Sequence, residues 1–208
     1  MKATWYFDFI SPYAYLQAEQ LDKLPAEIEI EPAPVLFAAL LNHWGQLGPA
    51  EIEPKRIFTY RHVQWLAQRS GVVLNAPAAH PFNPLRLLRL ALVLDCDLAA
   101  VQRIFRYVWR DGRLPEEDEA FDALALELEV VDARRRIDAP GIKDRLRLHG
   151  ERAVAAGVFG VPTFVVDGFV FWGLNAGDML VDYQRDRNLF GSAAMRRIAE
   201  LPVLARRR

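Results

Sequence analysis

The segments of this 208-residue chain that read as strands lie at its two ends, with a long helical run between them. No other feature constrains the fold as tightly. Strands so far apart in sequence complete one sheet only if the intervening helices are inserted into it. At one end, residues 5–10 are aromatic and β-branched and read as a strand. Ser11-Pro12 then pairs a preferred N-cap with proline at the first helical position. The helix it opens is carried by Leu16, Gln17 and Leu21 to Lys23, and Pro25 stops it. Residues 28–31 alternate Ile-Glu-Ile-Glu, as a half-buried strand does. At the other end, residues 163–166 and 169–172 flank Asp167-Gly168, the dipeptide suited to a type I′ hairpin turn with positive φ at both positions. A helix with Met179, Leu180 and Tyr183 follows, then an amphipathic piece through Ile198.

Between these ends the pattern is helical. The segment from Pro54 to Gly71 is expected to bury Ile57, Phe58, Trp65 and Leu66. Asn83-Pro84 starts a helix with Leu85, Leu88 and Leu92. Asp97 caps another with Leu98, Val101, Ile104, Phe105, Val108 and Trp109 on one face, closed by Gly112. Phe121, Leu124 and Leu128 form a further stripe, and a last helix runs from about Gly141 to a C-cap at Gly157. A β-α-β unit joined to a β-β-α unit is the thioredoxin arrangement. The expected class is therefore α/β, a thioredoxin-like fold with a large all-helical insertion between its halves. Residues 1–35 and 157–208 would form the thioredoxin-like domain and 36–156 the inserted helical domain, the pattern of the disulfide-oxidoreductase A branch.

Composition narrows the function. Apolar residues at 52% and charged residues at 25% exclude disordered and collagen-like chains, and a net charge of -1 offers no basic field for nucleic acid or anionic membrane. No window holds the ~18 uninterrupted apolar residues of a membrane span. The first ten residues, interrupted by Asp8 and without a small-residue cleavage site, read as a strand, not a signal peptide, so a cytoplasmic protein is expected. The runs Arg134-Arg135-Arg136 and Arg206-Arg207-Arg208 read as solvated helix surface and a frayed tail. His43, His62, His80 and His149 have no acid at i, i+4, so no metal is assigned. Cys96 is the only cysteine, which excludes an internal disulfide, a CxxC pair and a cysteine-rich zinc site. Between Asp95 and Asp97 it reads as an inert packed thiol.

In a thioredoxin-type sheet the first strand ends at the N-terminus of the first helix, where redox members place CxxC on the helix dipole. Here that tetrad is Ser11-Pro12-Tyr13-Ala14. A serine cannot exchange disulfides, although it can donate a hydrogen bond to a thiolate carried by another molecule. Ser-Pro is equally a good helix start. Val161-Pro162 stands immediately before the hairpin, in the context Gly157-Val158-Phe159-Gly160-Val161-Pro162-Thr163. Such sheets carry a cis-proline there, and the preceding residue offers its backbone N–H and C=O to a bound peptide.

Together the stretches Asp8-Phe9-Ile10-Ser11-Pro12-Tyr13-Ala14-Tyr15-Leu16, Gly157 to Thr163, and Phe171-Trp172-Gly173 resemble the 2-hydroxychromene-2-carboxylate isomerase family. This is a glutathione-dependent, kappa-class glutathione transferase-like branch of aromatic compound catabolism, and the resemblance runs the length of the chain. It implies glutathione along Val161 and Pro162, with its sulfur at Ser11 and its γ-glutamyl end at Trp172, Gly173, Leu174 and Asn175. In the family the thiolate adds to the unsaturated side chain of the ring-opened substrate, rotation follows, and elimination restores glutathione. Ser11 would then activate the cofactor's nucleophile. The partners implied are glutathione and a small aromatic carboxylate, and a homodimer is expected.

Asn175-Ala176-Gly177 stands where the family often carries Asp-Arg, which removes an acidic partner for the γ-glutamyl ammonium. Lys55 is a candidate for a substrate or glycyl carboxylate, or simply a solvated lysine. Asn83 is a candidate substrate contact or an N-cap, and Arg86 and Arg89 are carboxylate anchors or exposed-face arginines. The alternatives to an isomerase are a kappa-like glutathione transferase and a non-catalytic peptide-binding or chaperone module. Trp44, Phe58, Trp65, Phe105 and Trp109 separate these readings. Lining a cavity against Ser11 they favour a small aromatic substrate, and as core of the insertion they favour the module.

Overall fold

The structure is a computed structural model that describes residues 1–114 and 116–202, so Arg206, Arg207 and Arg208 lie outside the described residues. Strand β1 (Lys2–Phe7) leads through helix α1 (Pro12–Ala18) to β2 (Glu29–Pro34), which pairs parallel to β1 with Lys2 opposite Glu29 and Phe7 opposite Pro34. The strand expected to reach Ile10 stops at Phe7 because the Asp8 carboxylate accepts the Ile10 amide at 3.0 Å and bends the chain. Helix α1 ends at Ala18, earlier than expected, and residues Leu21–Lys23 form a separate 3-10 turn. Strand β2 tolerates Pro32 and Pro34 because it is the sheet edge, in the order β2-β1-β3-β4.

Helices then fill the chain to residue 155: α2 (Phe37–Trp44), α3 (Glu53–Ser70), α4 (Leu85–Val93), α5 (Leu98–Trp109), α6 (Asp118–Glu127), α7 (Ala133–Ile137) and α8 (Pro140–Ala155). Strands β3 (Thr163–Val166) and β4 (Phe169–Trp172) return antiparallel, with Trp5 opposite Phe164 and Phe164 opposite Phe171. Asp167 and Gly168 both have positive φ, 51° and 82°, as the type I′ turn requires. Helix α9 (Ala176–Arg185) packs on β3 and β4, and α10 (Ala193–Ala199) ends the described chain.

Helix α5 ties the helical segment to the sheet. Its stripe is buried as expected apart from the half-buried Leu98, and Phe105 lies 4.6 Å from Phe9, 5.5 Å from Phe7 and 6.0 Å from Trp5, centroid to centroid. The Trp109 indole donates to the Phe9 carbonyl at 2.8 Å. Helix α3 is turned differently from the expectation. Val63 and Ala67 are buried, whereas Phe58 is 65% and Trp65 49% exposed and Ile57 is exposed as well. Apolar residues lie on several sides of this helix, and the small Ala67 lets it approach its neighbours on a face the larger side chains would hold off. Phe58, His62 and Trp65 stack instead along its outer surface. Arg134 is solvated and paired with Asp118 and Asp122, as its place on a helix surface implied.

Candidate active site

Asp8, at the end of β1, has no exposed surface. Its carboxylate accepts the Phe37 amide at 2.8 Å and the Ile10 amide at 3.0 Å, which ties the turn before α1 to the first residue of α2. Burial pushes its carboxyl up to about 7 in spite of those two donors. Ser11 follows as the N-cap of α1, and its Oγ accepts the Ala14 amide at 3.2 Å. Among the described residues its own hydrogen goes to no protein acceptor. The capping and functional roles of Ser11 are therefore compatible, since one uses a lone pair and the other the proton.

The Val161–Pro162 bond is cis, as the sequence context favours. Pro162 spends its carbonyl on the Gly173 amide at 2.9 Å, and Thr163 Oγ1 donates to the Gly160 carbonyl at 2.7 Å. Among the described residues the backbone N–H and C=O of Val161 have no hydrogen-bond partner, so they present the open edge that an extended ligand takes up. Gly160 is required by the Trp172 ring, because a Cβ there would stand 2.7 Å from Trp172 Nε1. Beneath the turn, Gln17 accepts the Trp5 indole N–H at 2.7 Å and donates to the Gly173 carbonyl at 3.1 Å.

Ser11, Val161, Trp172 and Lys55 meet around one cavity of about 540 Å³, within the range of small-molecule sites. Its aromatic walls are Tyr13, Phe37, Tyr60, Phe159 and Trp172. None of Trp44, Phe58, Trp65, Phe105 and Trp109 lines it: Phe105 and Trp109 are core, and the other three are exposed. They meet neither condition as a set, neither lining a cavity against Ser11 nor all packing as core of the insertion. The cavity has other aromatic walls, supplied by residues of α1, α2, α3, the segment before β3, and β4.

Lys55 stands at the cavity with no ion pair among the described residues. Asn83 is not brought there. It is exposed, and its Oδ1 accepts the Leu85 amide at 3.1 Å from the position before the N-cap of α4, which is Pro84 and not Asn83 as expected. Pro162, Gly173, Leu174 and Asn175 do not line the cavity, and Asn175 stands at the start of α9. Asn175 is exposed and its side chain caps nothing. Arg86 pairs with Asp118 and lies over the Phe121 ring, while Arg89 pairs with Asp138, so neither reaches the cavity. Cys96 is buried at the α4–α5 junction, and burial pushes its thiol up to about 11, which keeps it an inert thiol. Among the described residues no three His, Cys, Asp or Glu side chains gather as a metal site needs.

Sequence reasoning missed the polar end of the cavity. His80, in a second cis bond to Pro81, has Nε2 2.8 Å from the Ile10 carbonyl and Nδ1 2.7 Å from the Tyr60 hydroxyl. Tyr13 pairs similarly with His62, at 2.9 Å. Nothing in local spacing joins Tyr60 to His80. The only hint was a His-Pro step between two helical patterns.

Comparisons with known proteins agree with this architecture. The chain is 28% identical over 191 residues to a 2-hydroxychromene-2-carboxylate isomerase of Sphingobium xenophagum, covering 88% of this chain and 97% of that one. A solved 2-hydroxychromene-2-carboxylate isomerase superposes with a TM-score of 0.80 at 24% identity, over 94% of this chain and 99% of that one. The cytosolic disulfide reductase DsbM from Pseudomonas aeruginosa, solved with GSH, does so with a TM-score of 0.60 at 15% identity, over 97% and 100%. The DSBA-like thioredoxin domain family matches residues 4–184. That stretch runs from β1 into α9 and takes in every element that shapes the cavity, and the chain belongs to the DSBA-like thioredoxin domain family.

Proposed function

We propose that this protein is a glutathione-dependent isomerase acting on 2-hydroxychromene-2-carboxylate or a similar aromatic-catabolism intermediate. The observation that carries the reading is the pairing, in one cavity, of Ser11 with an uncommitted hydroxyl proton and Val161 with an uncommitted backbone N–H and C=O. The names of the relatives support the substrate, and DsbM supports the cofactor, as a protein of the same fold solved with GSH.

These residues fit glutathione. Val161 offers one donor and one acceptor to its cysteinyl backbone, Trp172 covers the edge, and Asn175, whose side chain has no hydrogen-bond partner among the described residues, is the candidate for the γ-glutamyl end. When bound, glutathione supplies a thiolate that adds reversibly to the substrate's unsaturated side chain and so permits rotation about it. Ser11 donates its proton as a hydrogen bond to the sulfur, which favours the thiolate over the thiol. Lys55 sits at the mouth as a counter-charge for a carboxylate. Phe37, Phe159 and Trp172 exclude water and hold an aromatic ring. A homodimer belongs to the same reading, and sedimentation velocity measures it.

The test is calorimetric titration with glutathione and then with S-methylglutathione. Both are expected to bind, glutathione more tightly because only its sulfur ionises against Ser11. Binding of neither sinks the isomerase and the kappa-like transferase together and leaves the peptide-binding module.

A further inference from the structure

The hydrogen-bond pattern at the polar end of the cavity has one solution. His80 Nε2 faces the Ile10 carbonyl, which only accepts, so Nε2 carries the imidazole proton. Nδ1 of the neutral ring is then a lone pair, and the Tyr60 hydroxyl 2.7 Å away donates to it. The other acceptor within reach, the His80 carbonyl at 3.2 Å, also takes the hydrogen towards His80. Either way the Tyr60 oxygen has only lone pairs left for a ligand. The ring is held in place by Trp109 and Phe82, at centroid distances of 5.4 and 6.1 Å. Burial holds His80 below the ordinary imidazole range and so keeps it neutral. Burial pushes the Tyr60 phenol up, and Arg56, one turn before it on α3, acts against that rise.

From this geometry we infer that Tyr60 is a substrate-contacting residue that accepts a hydrogen bond from a ligand hydroxyl, and that His80 is the base behind it. The inference rests on the isomerase reading and deepens it by naming the group of that substrate which Tyr60 contacts, the free hydroxyl of its cyclic hemiketal. The ligand's hydroxyl proton passes to the Tyr60 oxygen as the phenolic proton passes to His80 Nδ1. The C=O double bond forms from the hydroxyl oxygen, the bond from that carbon to the ring oxygen breaks, and its electron pair stays on the ring oxygen as phenolate. The imidazolium then returns its proton through Tyr60 to the phenolate. Protons and charge balance, and the open-chain form that a thiolate can attack is produced inside the cavity.

The experiment has two arms. Binding of 2-hydroxychromene-2-carboxylate and of its 2-methoxy ether is compared by calorimetry without glutathione, so that nothing turns over. Wild type is expected to prefer the hydroxyl compound by about 10-fold, and Tyr60→Phe to lose that preference. In turnover with glutathione, Tyr60→Phe and His80→Gln are each expected to lower kcat by about 100-fold while glutathione affinity and thermal melting stay close to wild type. Equal binding of the two compounds by wild type, or full kcat in Tyr60→Phe, overturns the inference. A wild type that binds no glutathione overturns the isomerase reading instead, and the binding arm still decides what Tyr60 recognises.

Discussion

The buried Asp8 carboxylate holds the first amide of α2, that of Phe37, at 2.8 Å. This bond fixes the strand end that carries Ser11 relative to the helix that walls the cavity. Asp8 is raised to about 7 in the folded protein, above its ordinary value of 3.8. The folded state therefore binds this proton more tightly than the unfolded state, and the contribution of Asp8 to stability falls as pH rises from about 4 to about 7. Urea midpoints at pH 5 and pH 7.5 should show that fall in wild type. In Asp8→Asn, which does not titrate, this part of the fall should vanish. The variant should also be about 1–3 kcal/mol less stable, because one buried amide loses its acceptor. A slope that survives in the variant places the titration elsewhere.

Ser11→Ala removes both the cap of α1 and the proposed donor to sulfur. The cap loss should cost about 1 kcal/mol of stability, visible as a small drop in the melting midpoint. Glutathione-dependent turnover should fall about 100-fold with the fold retained. Unchanged turnover removes Ser11 from the chemistry.

Gly160→Ala drives a methyl group to 2.7 Å from Trp172 Nε1, so the indole must move off the cavity edge. Glutathione affinity is expected to weaken by about 10-fold, and tryptophan emission should shift as the ring leaves Phe159. An unaltered emission spectrum and affinity together show that Trp172 does not cover the ligand.

Gln17 satisfies the buried indole N–H of Trp5 and the carbonyl of Gly173 at once. Gln17→Leu leaves the Trp5 indole N–H without a partner, while the Gly173 carbonyl keeps the Ala176 amide at 3.2 Å, and should cost about 1–3 kcal/mol. Denaturant unfolding measures it, and a loss under about 1 kcal/mol means that water replaces the amide.

The two sides of the helical segment should respond differently to truncation. Phe105→Ala empties the space among Trp5, Phe7 and Phe9 and is expected to cost about 3–5 kcal/mol. Trp65→Gln, on the outer face of α3, should change stability by no more than about 0.5 kcal/mol. A large loss at Trp65 in the same unfolding series shows that this face is covered in solution.

Two local features of the candidate cavity were legible in the sequence. Ser11-Pro12 announced a helix start at the end of a strand, and Val161-Pro162 announced the edge before the hairpin. Both signals are local, set by capping chemistry and by what proline permits. Tyr60 and His80 were not legible, because their bond spans two structural elements and no spacing rule links them. Trp44, Phe58 and Trp65 misled for the related reason that an aromatic residue on a helix states its apolar character and not the direction it faces.

The sequence by itself determined the order of strands and helices, the Asp167-Gly168 turn, the buried stripe of α5 and the replacement of a redox cysteine by Ser11. Each follows from backbone dihedral preference, hydrophobic period or the identity of a single residue. Only the tertiary structure decided that α3 turns Tyr60 inward and Trp65 outward, that Asp8 reaches Phe37, and that Ile10 orients His80. Those relations arise where segments far apart in the chain compete to fill one space, and packing settles that competition over the whole chain at once.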